Sequence, residues 1–282
     1  MVVTRYLGPH LRDLLDNSRL KISKVSQLND PFEFRYRHVG GFGRTTAKRM
    51  LRERLRTPDF FKTAQESPEL MGKSKQAIKR LINSQRKHVL DHLIKGMPKS
   101  FEELGSAVAA YADATIRIIC FSNATQKPLE EILLWSHYTS NHTGVRIWID
   151  LSREPMPLRK TFNVEYREEL PAVENKNMIT LHHYESVIQE AMSVKARCWQ
   201  YEDEVRSFIP REFFLTEEVN GMPLDFVKID LRSIVRIDFG VRHNEKDRDG
   251  LIAQVATSIG KEIKFSQAMC SHDRYELKYL EL

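Results

Sequence analysis

The order in which strand and helix patterns follow one another constrains the fold of this chain most. Segments typical of strands recur from residue 4 to about residue 280, as short alternating or apolar runs bounded by turn residues. Helical patterns interrupt them irregularly, without the βαβ repeat that builds a doubly wound parallel sheet. We therefore expect an α+β fold, with a compact mixed β-sheet core in a single domain over residues 1–282.

The clearest local patterns lie in the middle of the chain. Thr115 to Ser122 has the apolar, β-branched character of a strand. Pro128 then suits the first turn of a helix, and Glu130 and Glu131 favour the positive end of the helix dipole. We further predict strands at 4–7, 20–23, 145–149, 162–166, 202–209, 227–230, 234–240, 262–265 and 275–280, and helices at 10–17, 174–194 and 249–259.

A basic helical insertion is predicted at 44–112, with helices at 44–56, 73–95 and 101–112. Between Arg44 and Lys99 the chain has 15 Lys and Arg against 5 Asp and Glu, a net charge of +10, whereas the whole chain has +6 and the remainder therefore −4. The outward face of the first helix carries the four basic residues Arg44, Lys48, Arg52 and Arg56. One interpretation is a contact with nucleic acid or another polyanion; the other is a solvated surface without a ligand.

Composition excludes several classes of protein. No apolar run approaches the roughly 20 residues that cross a bilayer, and the N-terminal residues lack the pattern of a signal peptide. The three cysteines, Cys120, Cys198 and Cys270, are too few and too far apart for a disulfide framework, and no CxxC pair suggests structural zinc. We expect a cytoplasmic protein without a membrane partner and without a metal site.

Glutamates and an arginine alternate in the segment Glu202-Asp203-Glu204-Val205-Arg206. On the strand predicted here, the side chains of Glu202, Glu204 and Arg206 share one face. Two neighbouring carboxylates raise the pKa of one of them unless Arg206 or a bound cation offsets the repulsion. A cleft-facing pair for electrostatic or acid/base catalysis is one interpretation, and an exposed edge strand with paired charges is the other.

A second cluster, Trp135-Ser136-His137-Tyr138, lies late in the helix that begins at Pro128. An indole, a hydroxyl, an imidazole and a phenol can stack against a planar ring and form hydrogen bonds to its substituents. Packing of the same aromatic side chains in the core explains the pattern equally well. We predict that residues of four separate segments line one pocket: Arg5, Ser122, His137, Tyr138, Glu202 and Glu204.

Together these segments resemble a large bacterial family catalogued as domain of unknown function 2971. The resemblance runs from residue 4 to the C-terminus, with 44–112 as its variable part, and the family label implies no activity. The motifs that carry it are Arg5-Tyr6, Leu28-Asn29-Asp30-Pro31-Phe32-Glu33, Cys120-Phe121-Ser122, Trp135-Ser136-His137-Tyr138 with Gly144, and Lys195 with Trp199, Glu202, Glu204 and Arg206.

More distantly, the chain is similar to the ADP-ribosyltransferase superfamily. That superfamily has an Arg or His on its first strand, a Ser or Tyr on a middle element and a late Glu, often in a Glu-x-Glu pair. Arg5, Ser122 and the run Glu202-Asp203-Glu204 match that order, although residue 122 does not begin a Ser-Thr-Ser run. The resemblance implies NAD as substrate and a toxin or phage-defence effector that modifies nucleic acid or protein.

The resemblance also implies roles for individual residues. Glu204 would be the catalytic carboxylate, Glu202 its helper, and His137 would position ribose or acceptor. The residues implied to bind NAD are Arg5, Tyr6, Ser122 and Tyr138. Arg206 would contact the substrate, together with the basic residues of the insertion. Two other functions stay open: a metal-assisted hydrolase or nuclease that uses Glu202, Glu204 and His137, and a nucleic-acid-binding module without catalysis.

Overall fold

The computed structural model describes residues 1–8, 11–39, 43–124, 128–174, 189–259 and 263–282 of the chain. It is a mixed α+β structure that divides into two compact units. The first unit contains residues 1–34, 111–170 and 192–282, and the second contains 35–110 and 171–191. The predicted insertion at 44–112 lies almost entirely in the second unit, which also takes in a later segment of the chain.

The strands are numbered in chain order. They are β1 (Val2–Leu7), β2 (Arg19–Ile22), β3 (Arg37–Val39), β4 (Ile116–Asn123), β5 (Val145–Asp150), β6 (Phe162–Asn163), β7 (Glu165–Arg167), β8 (Ala172–Glu174), β9 (Val194–Ala196), β10 (Glu204–Pro210), β11 (Phe214–Val219), β12 (Met222–Lys228), β13 (Ile234–Phe239), β14 (Lys264–Cys270) and β15 (Leu277–Glu281).

The helices are numbered in the same way. They are α1 (Leu11–Asn17), α2 (Arg44–Arg54), α3 (Pro58–Ala64), α4 (Lys75–Ser84), α5 (Arg86–Thr115), α6 (Pro128–Tyr138) and α7 (Glu245–Ile259). None of the helices among these described residues combines the length and the apolar character that a membrane span requires.

An eight-stranded sheet dominates the first unit, in the order β15-β14-β13-β5-β1-β4-β10-β6. All neighbours in it are antiparallel except β13 and β14, which the helix α7 connects in parallel. Parallel strands need such a crossover, because a short turn only reverses the chain. The order confirms a mixed sheet and the absence of a doubly wound arrangement within the described residues.

The two faces of the sheet bury different side chains. On one face Val145, Ile147 and Ile149 of β5 pack with residues of α1 and α7 in the main apolar core. Alternate residues of the same strand point the other way, and there Arg146 lies among aromatic rings that include Tyr6 and Trp135. The helix α6 covers this second face through Leu134 and Trp135. That helix therefore brings its aromatic side chains to the same side of the sheet as the site described below.

The second unit is mainly helical. Ala47 and Leu51 of α2 are buried with Leu90 of α5, and partly buried leucines and isoleucines surround them. The sequence placed apolar residues of 44–56 and 73–95 on inward faces, which the buried Ala47, Leu51 and Ile78 confirm. Leu81 is an exception, because its side chain is exposed.

Several predicted boundaries were wrong. The helix predicted at 73–95 is interrupted after Ser84, and its second part continues as α5 through the helix predicted at 101–112. The strand predicted at 202–209 begins only at Glu204, because Arg197–Glu202 forms a 3₁₀ turn and Asp203 is left-handed, with φ of 42°. No strand was predicted from the sequence at the positions of β3, β8, β9 and β11. The helix predicted at 174–194 lies largely outside the described residues.

Candidate functional site

The site begins where β1 and β4 separate. β1 pairs with β5 along its whole length, from Val2 to Leu7, but with β4 only at Val3 and Thr4. Further along β4, Ser23, just after β2, forms a bridge to Ile118 instead. The edge of β4 therefore passes from one partner strand to another, and a gap in the sheet opens between them.

A cavity of about 270 Å³ lies at this gap. Its walls come from β1, β4, the turn after β2, the helix α6 and the segment 195–204, all within the first unit. The residues that line it include Thr4, Arg5, Tyr6, Asn29, Cys120, Ser122, Tyr138, Lys195, Glu202 and Glu204. The volume is close to the lower limit for ligand sites, so the cavity suits one ring-and-sugar portion of a larger ligand.

Lys195 holds the two glutamates of the cavity together. Its Nζ donates to Glu202 Oε2 at 2.6 Å and to Glu204 Oε2 at 3.1 Å. It also lies 3.3 Å from Glu33 Oε1. All of these side chains are buried. One ammonium group therefore offsets the repulsion that the sequence predicted between Glu202 and Glu204.

Arg206 supplies the second positive charge. Its Nε donates to Glu204 Oε1 at 2.7 Å, and its Nη2 donates to Glu204 Oε2 at 3.0 Å and to Glu33 Oε1 at 2.7 Å. Nη1 donates to the carbonyl of Met192. The side chain is fully buried and is not among the cavity-lining residues. The prediction that Arg206 contacts substrate was therefore wrong: every guanidinium nitrogen is occupied inside the protein.

Glu202 and the phenol of Tyr138 both line the cavity and are joined by a hydrogen bond. Tyr138 donates its hydroxyl hydrogen to Glu202 Oε1 at 2.5 Å, and the same hydroxyl accepts from Asn29 Nδ2 at 2.7 Å. The sequence predicted that Glu202 and Glu204 share one face of a strand. This prediction was wrong, because Glu202 belongs to the 3₁₀ turn. The left-handed Asp203 lies between them, and both carboxylates converge on Lys195.

Arg5 has a different environment from Arg206. Its Nη1 donates to the carbonyl of Cys120 at 2.8 Å and its Nη2 to the carbonyl of Lys21 at 2.7 Å, so the side chain spans the gap in the sheet. Its buried Nε has no hydrogen-bond partner, and the guanidinium makes no ion pair within the described residues. Burial without an acidic partner lowers the pKa of Arg5. An anionic ligand group would supply the missing counter-charge.

The two carboxylates have opposite electrostatic character. Burial favours the neutral form of both. For Glu204 the positive charges of Arg206 and Lys195 outweigh burial and lower its pKa to about 2. For Glu202 burial prevails over the attraction of Lys195, so its pKa is raised. The pKa of Tyr138 is raised by burial and by the adjacent Glu202, which keeps its hydroxyl protonated. The cavity thus combines a permanent anion with a carboxylate that accepts a proton more readily.

The lowered pKa of Glu204 predicts how stability depends on pH. In the folded protein its pKa is about 2, against an ordinary value of 4.5. The stabilisation is therefore complete above pH 4.5 and is lost as pH falls through the folded pKa. In urea titrations at several pH values, wild type should exceed Glu204→Gln by about 3 kcal/mol in unfolding free energy near pH 7, and this excess should shrink toward pH 3.

The exposed Glu218 provides the control for that experiment, because its side chain forms no hydrogen bond or ion pair within the described residues. The Glu218→Gln variant should match wild type at every pH. If the difference in unfolding free energy between wild type and Glu204→Gln stays constant from pH 7 to pH 3, the assignment of a strongly lowered pKa to Glu204 is contradicted.

Most of the predicted site residues meet at the cavity, but not all of them. Arg5, Tyr6, Ser122, Tyr138, Glu202 and Glu204 line it. His137 does not: it is exposed on α6, next to the ring of Tyr201 at a centroid distance of 6.2 Å. Neighbouring residues of a helix point about 100° apart, so the same turn cannot direct both His137 and Tyr138 into one cavity. The prediction that His137 lines the pocket was wrong.

Tyr6 lines the cavity but its ring is packed. The ring is edge-on to Trp135 at 5.3 Å, and the hydroxyl accepts a hydrogen bond from Arg146 Nη1 at 3.3 Å. Only 8% of the residue is exposed. Of the two tyrosines that the sequence suggested for stacking, Tyr138 is therefore the one whose ring is partly accessible.

Sequence reasoning assigned no role to Lys195, Asn29 or Glu33, although all three stand in the motifs that carried the family resemblance. Asn29 and Glu33 lie in the motif Leu28-Asn29-Asp30-Pro31-Phe32-Glu33, to which no individual side-chain role was assigned. The available signal was the excess of acidic residues over partners at 202–206: two glutamates beside a single arginine require a further cation when they are buried.

Divalent-metal chemistry finds little support in this arrangement. The carboxylates of Glu33, Glu202 and Glu204 converge on an ammonium group, which occupies the position where a cation would bind. Among the described residues, no group of three or more His, Cys, Asp and Glu has an arrangement that could hold a metal ion.

Comparisons of the chain with family models, with curated proteins and with solved structures found no match. They assign no family to the chain and no activity to its cavity.

Proposed function

We propose that the protein is an NAD-using enzyme of the ADP-ribosyltransferase type. The observation that carries the proposal is that one cavity combines Arg5, a cation without an acidic partner in the described residues, with the ionised Glu204 and the adjacent Glu202. NAD needs both features, because it has an anionic pyrophosphate and a glycosidic bond whose cleavage leaves positive charge on the ribose. The order Arg5, Ser122, Glu204 also matches that of the superfamily that the sequence resembles.

The chemistry follows from the charges. When the bond between C1′ of the ribose and the nicotinamide nitrogen breaks, nicotinamide leaves with the electron pair and the ribose becomes cationic. Glu204 remains ionised and stabilises that cation electrostatically. The acceptor then forms its bond to C1′ and loses a proton. Glu202, whose pKa is raised, takes up that proton, while Tyr138 and Lys195 fix the carboxylate in place.

The pyrophosphate would lie against Arg5 at the gap between β1 and β4. Ser122 adjoins Thr4 and Glu204 in strand register, which places it beside the ribose in this arrangement. Tyr138 offers its ring to the nicotinamide and its hydroxyl to Glu202. The cavity accepts the nicotinamide and ribose portion, and the adenosine portion would extend beyond it.

A direct test is the release of nicotinamide from NAD by the purified full-length protein. We expect release with water or an added acceptor, and we expect EDTA to leave it unchanged, because an ammonium group already occupies the position between the carboxylates. Hydrolase or nuclease activity abolished by EDTA, without nicotinamide release, would instead support the metal-assisted alternative. Nucleic-acid binding that persists in Glu204→Gln, with no turnover of NAD by either protein, would support the non-catalytic module.

A polyanionic partner, nucleic acid in particular, is a second proposal, which the surface of α2 supports. Lys48 and Arg52 of α2 and Arg56, two residues beyond its end, are exposed, while Ala47 and Leu51 of α2 are buried. None of these three basic side chains forms an ion pair in the part of the chain that the structure describes, whereas Arg44 pairs with Asp91 at 3.1 Å. Unpaired exposed cations at successive positions of this segment are available to neutralise phosphates.

The salt dependence of binding tests this second proposal. Binding of a duplex or single-stranded oligonucleotide should weaken steeply as the salt concentration rises. Replacing Arg44, Lys48, Arg52 and Arg56 with Ala should reduce the steepness of log K against log salt concentration by about 0.9 for each duplex phosphate contact removed. The matched control removes four exposed basic residues of the first unit, namely Arg159, Lys160, Lys246 and Lys264. Equal slopes in the two variants, or no binding by wild type, would leave only a solvated basic surface.

A further inference from the structure

A second cavity, of about 640 Å³, lies within the first unit on the other side of α6. Ile132 of that helix faces the second cavity, whereas Leu134 faces the first. Two positions along a helix correspond to a rotation of about 200°, so the helix separates the two cavities. The walls of the second cavity come from His142, from the turn after β13 and from the segment 270–277 between β14 and β15. The proposed function does not use it.

A strained turn positions His142 at this cavity. Ser140, Asn141 and His142 are all left-handed, with φ of 51°, 58° and 68°, a conformation that is unfavourable for side-chain-bearing residues. Gly240 holds the turn closely, since a Cβ there would lie 2.2 Å from the carbonyl oxygen of His142. The imidazole consequently lies nearly parallel to Trp135, at a centroid distance of 6.3 Å.

His142 has an unused hydrogen-bonding atom. Its Nε2 lies 3.4 Å from Ser136 Oγ, but its buried Nδ1 has no hydrogen-bond partner within the described residues. Burial, and then the charge of Arg242, lower the pKa of His142, so the ring is neutral at neutral pH.

Two exposed arginines line the second cavity. Arg242 and Arg274 are exposed and form no ion pair within the described residues. The acidic residues among the described residues that line the cavity are Asp273, which lies 3.8 Å from Lys278 Nζ, and Glu276. Planar guanidinium groups bind phosphate with two hydrogen bonds each, which makes a phosphate the best fit.

An aromatic ring accompanies these cations. Tyr275 is 88% exposed, although it lines the cavity, and its ring is free to stack on a planar group. We propose that the second cavity binds a nucleoside phosphate, with the phosphate on Arg242 and Arg274, the base against Tyr275 and a hydrogen bond from His142. The nucleoside phosphate is either a free nucleotide or one residue of a single-stranded nucleic acid, which stacking on tyrosine and phosphate contacts would bind in the same way.

Titration of the full chain with AMP and with a short single-stranded RNA tests this site without any NAD turnover. We expect binding of at least one of the two, weakened tenfold or more in the double variant Arg242→Ala, Arg274→Ala. The control variant Arg159→Ala, Lys160→Ala removes the same charge from another exposed part of the first unit and should bind like wild type. Tight binding of RNA with weak binding of AMP identifies a strand as the ligand, and tight binding of AMP identifies a free nucleotide.

The location is checked with a variant of the first cavity. Arg5→Gln should leave AMP binding intact, and the imidazole signal of His142, assigned by its loss in His142→Gln, should shift when AMP is added. The proposal is overturned if neither probe binds, if the double variant binds as well as wild type, or if Arg5→Gln abolishes AMP binding while the double variant keeps it. These outcomes do not depend on nicotinamide release, so they separate this site from the proposed function.

Discussion

Replacing Glu204 with glutamine is expected to reduce nicotinamide release by about 10²–10³-fold, the usual effect of removing one electrostatic contact to a transition state. Glutamine keeps the shape of the side chain and removes its charge. The fold should survive, because Glu33 and Glu202 still face Lys195 and Arg206, which leaves two acids opposite two bases. The loss should appear in kcat, since the charge on the ribose develops only as the glycosidic bond breaks.

The exposed Glu218 again provides the matched control: Glu218→Gln should turn over NAD at the wild-type rate. Circular dichroism spectra of the three proteins should superimpose, which separates a catalytic effect from a folding defect. Wild-type turnover by Glu204→Gln would remove Glu204 from the mechanism and, with it, the reason to place the reaction at this cavity.

Replacing Arg206 with methionine is expected to have the largest effect on stability. The side chain is fully buried and neutralises Glu204 and Glu33, so its removal leaves three buried carboxylates, those of Glu33, Glu202 and Glu204, with Lys195 as their common cation. Breaking a buried charge network in this way typically lowers the free energy of unfolding by about 3–5 kcal/mol. Urea denaturation followed by circular dichroism measures the change.

A second substitution tests the electrostatic explanation for Arg206. Adding Glu33→Gln to Arg206→Met removes one of the stranded negative charges and should restore part of the lost stability. The control Arg159→Met replaces an exposed arginine and should change the free energy of unfolding by no more than about 0.5 kcal/mol. A loss below about 1 kcal/mol in Arg206→Met would contradict this contribution of the buried charge network to stability.

Residues with strong local patterns were predictable from the sequence. The apolar, β-branched run of β4, the predicted strand at 145–149 and the helix start at Pro128 placed β4, β5 and α6 within one or two residues. The sequence also predicted that Arg5, Ser122 and Glu204 line one pocket. In the structure they lie on three strands that are neighbours in the sheet, and all three line the cavity. Periodicity and local chemistry carry this information without reference to tertiary contacts.

What the sequence could not reveal depends on tertiary contacts. Lys195 belongs to the short strand β9, and only the folded chain brings its amine between Glu202 and Glu204. Arg206 looked available for substrate because nothing local indicated that Glu33, far away in the chain, would take its guanidinium. His137 was predicted to line the pocket because an imidazole can position a substrate. The orientation of α6 instead directs Tyr138 into the cavity.

The 3₁₀ turn at 197–202 illustrates the same limit. The alternating Glu202, Glu204 and Arg206 are typical of a strand, and the local pattern contains no signal for the left-handed Asp203. Asn123 Nδ2 donates to Asp203 Oδ1 at 3.0 Å, and the carbonyl of Asp203 accepts from the Asn123 amide at 2.9 Å. These contacts with β4 stabilise the turn, and they exist only once the sheet has formed.

The most direct test of the central claim is a crystal structure of the Glu204→Gln variant with NAD, in which turnover should be slow enough for the intact dinucleotide to be observed. We predict density in the cavity between β1 and β4, with the pyrophosphate within hydrogen-bond distance of Arg5 and the nicotinamide ribose beside residue 204 and Tyr138. Absence of NAD at saturating concentration, or NAD bound only in the second cavity at Arg242 and Arg274, would contradict the assignment of this cavity as an NAD site.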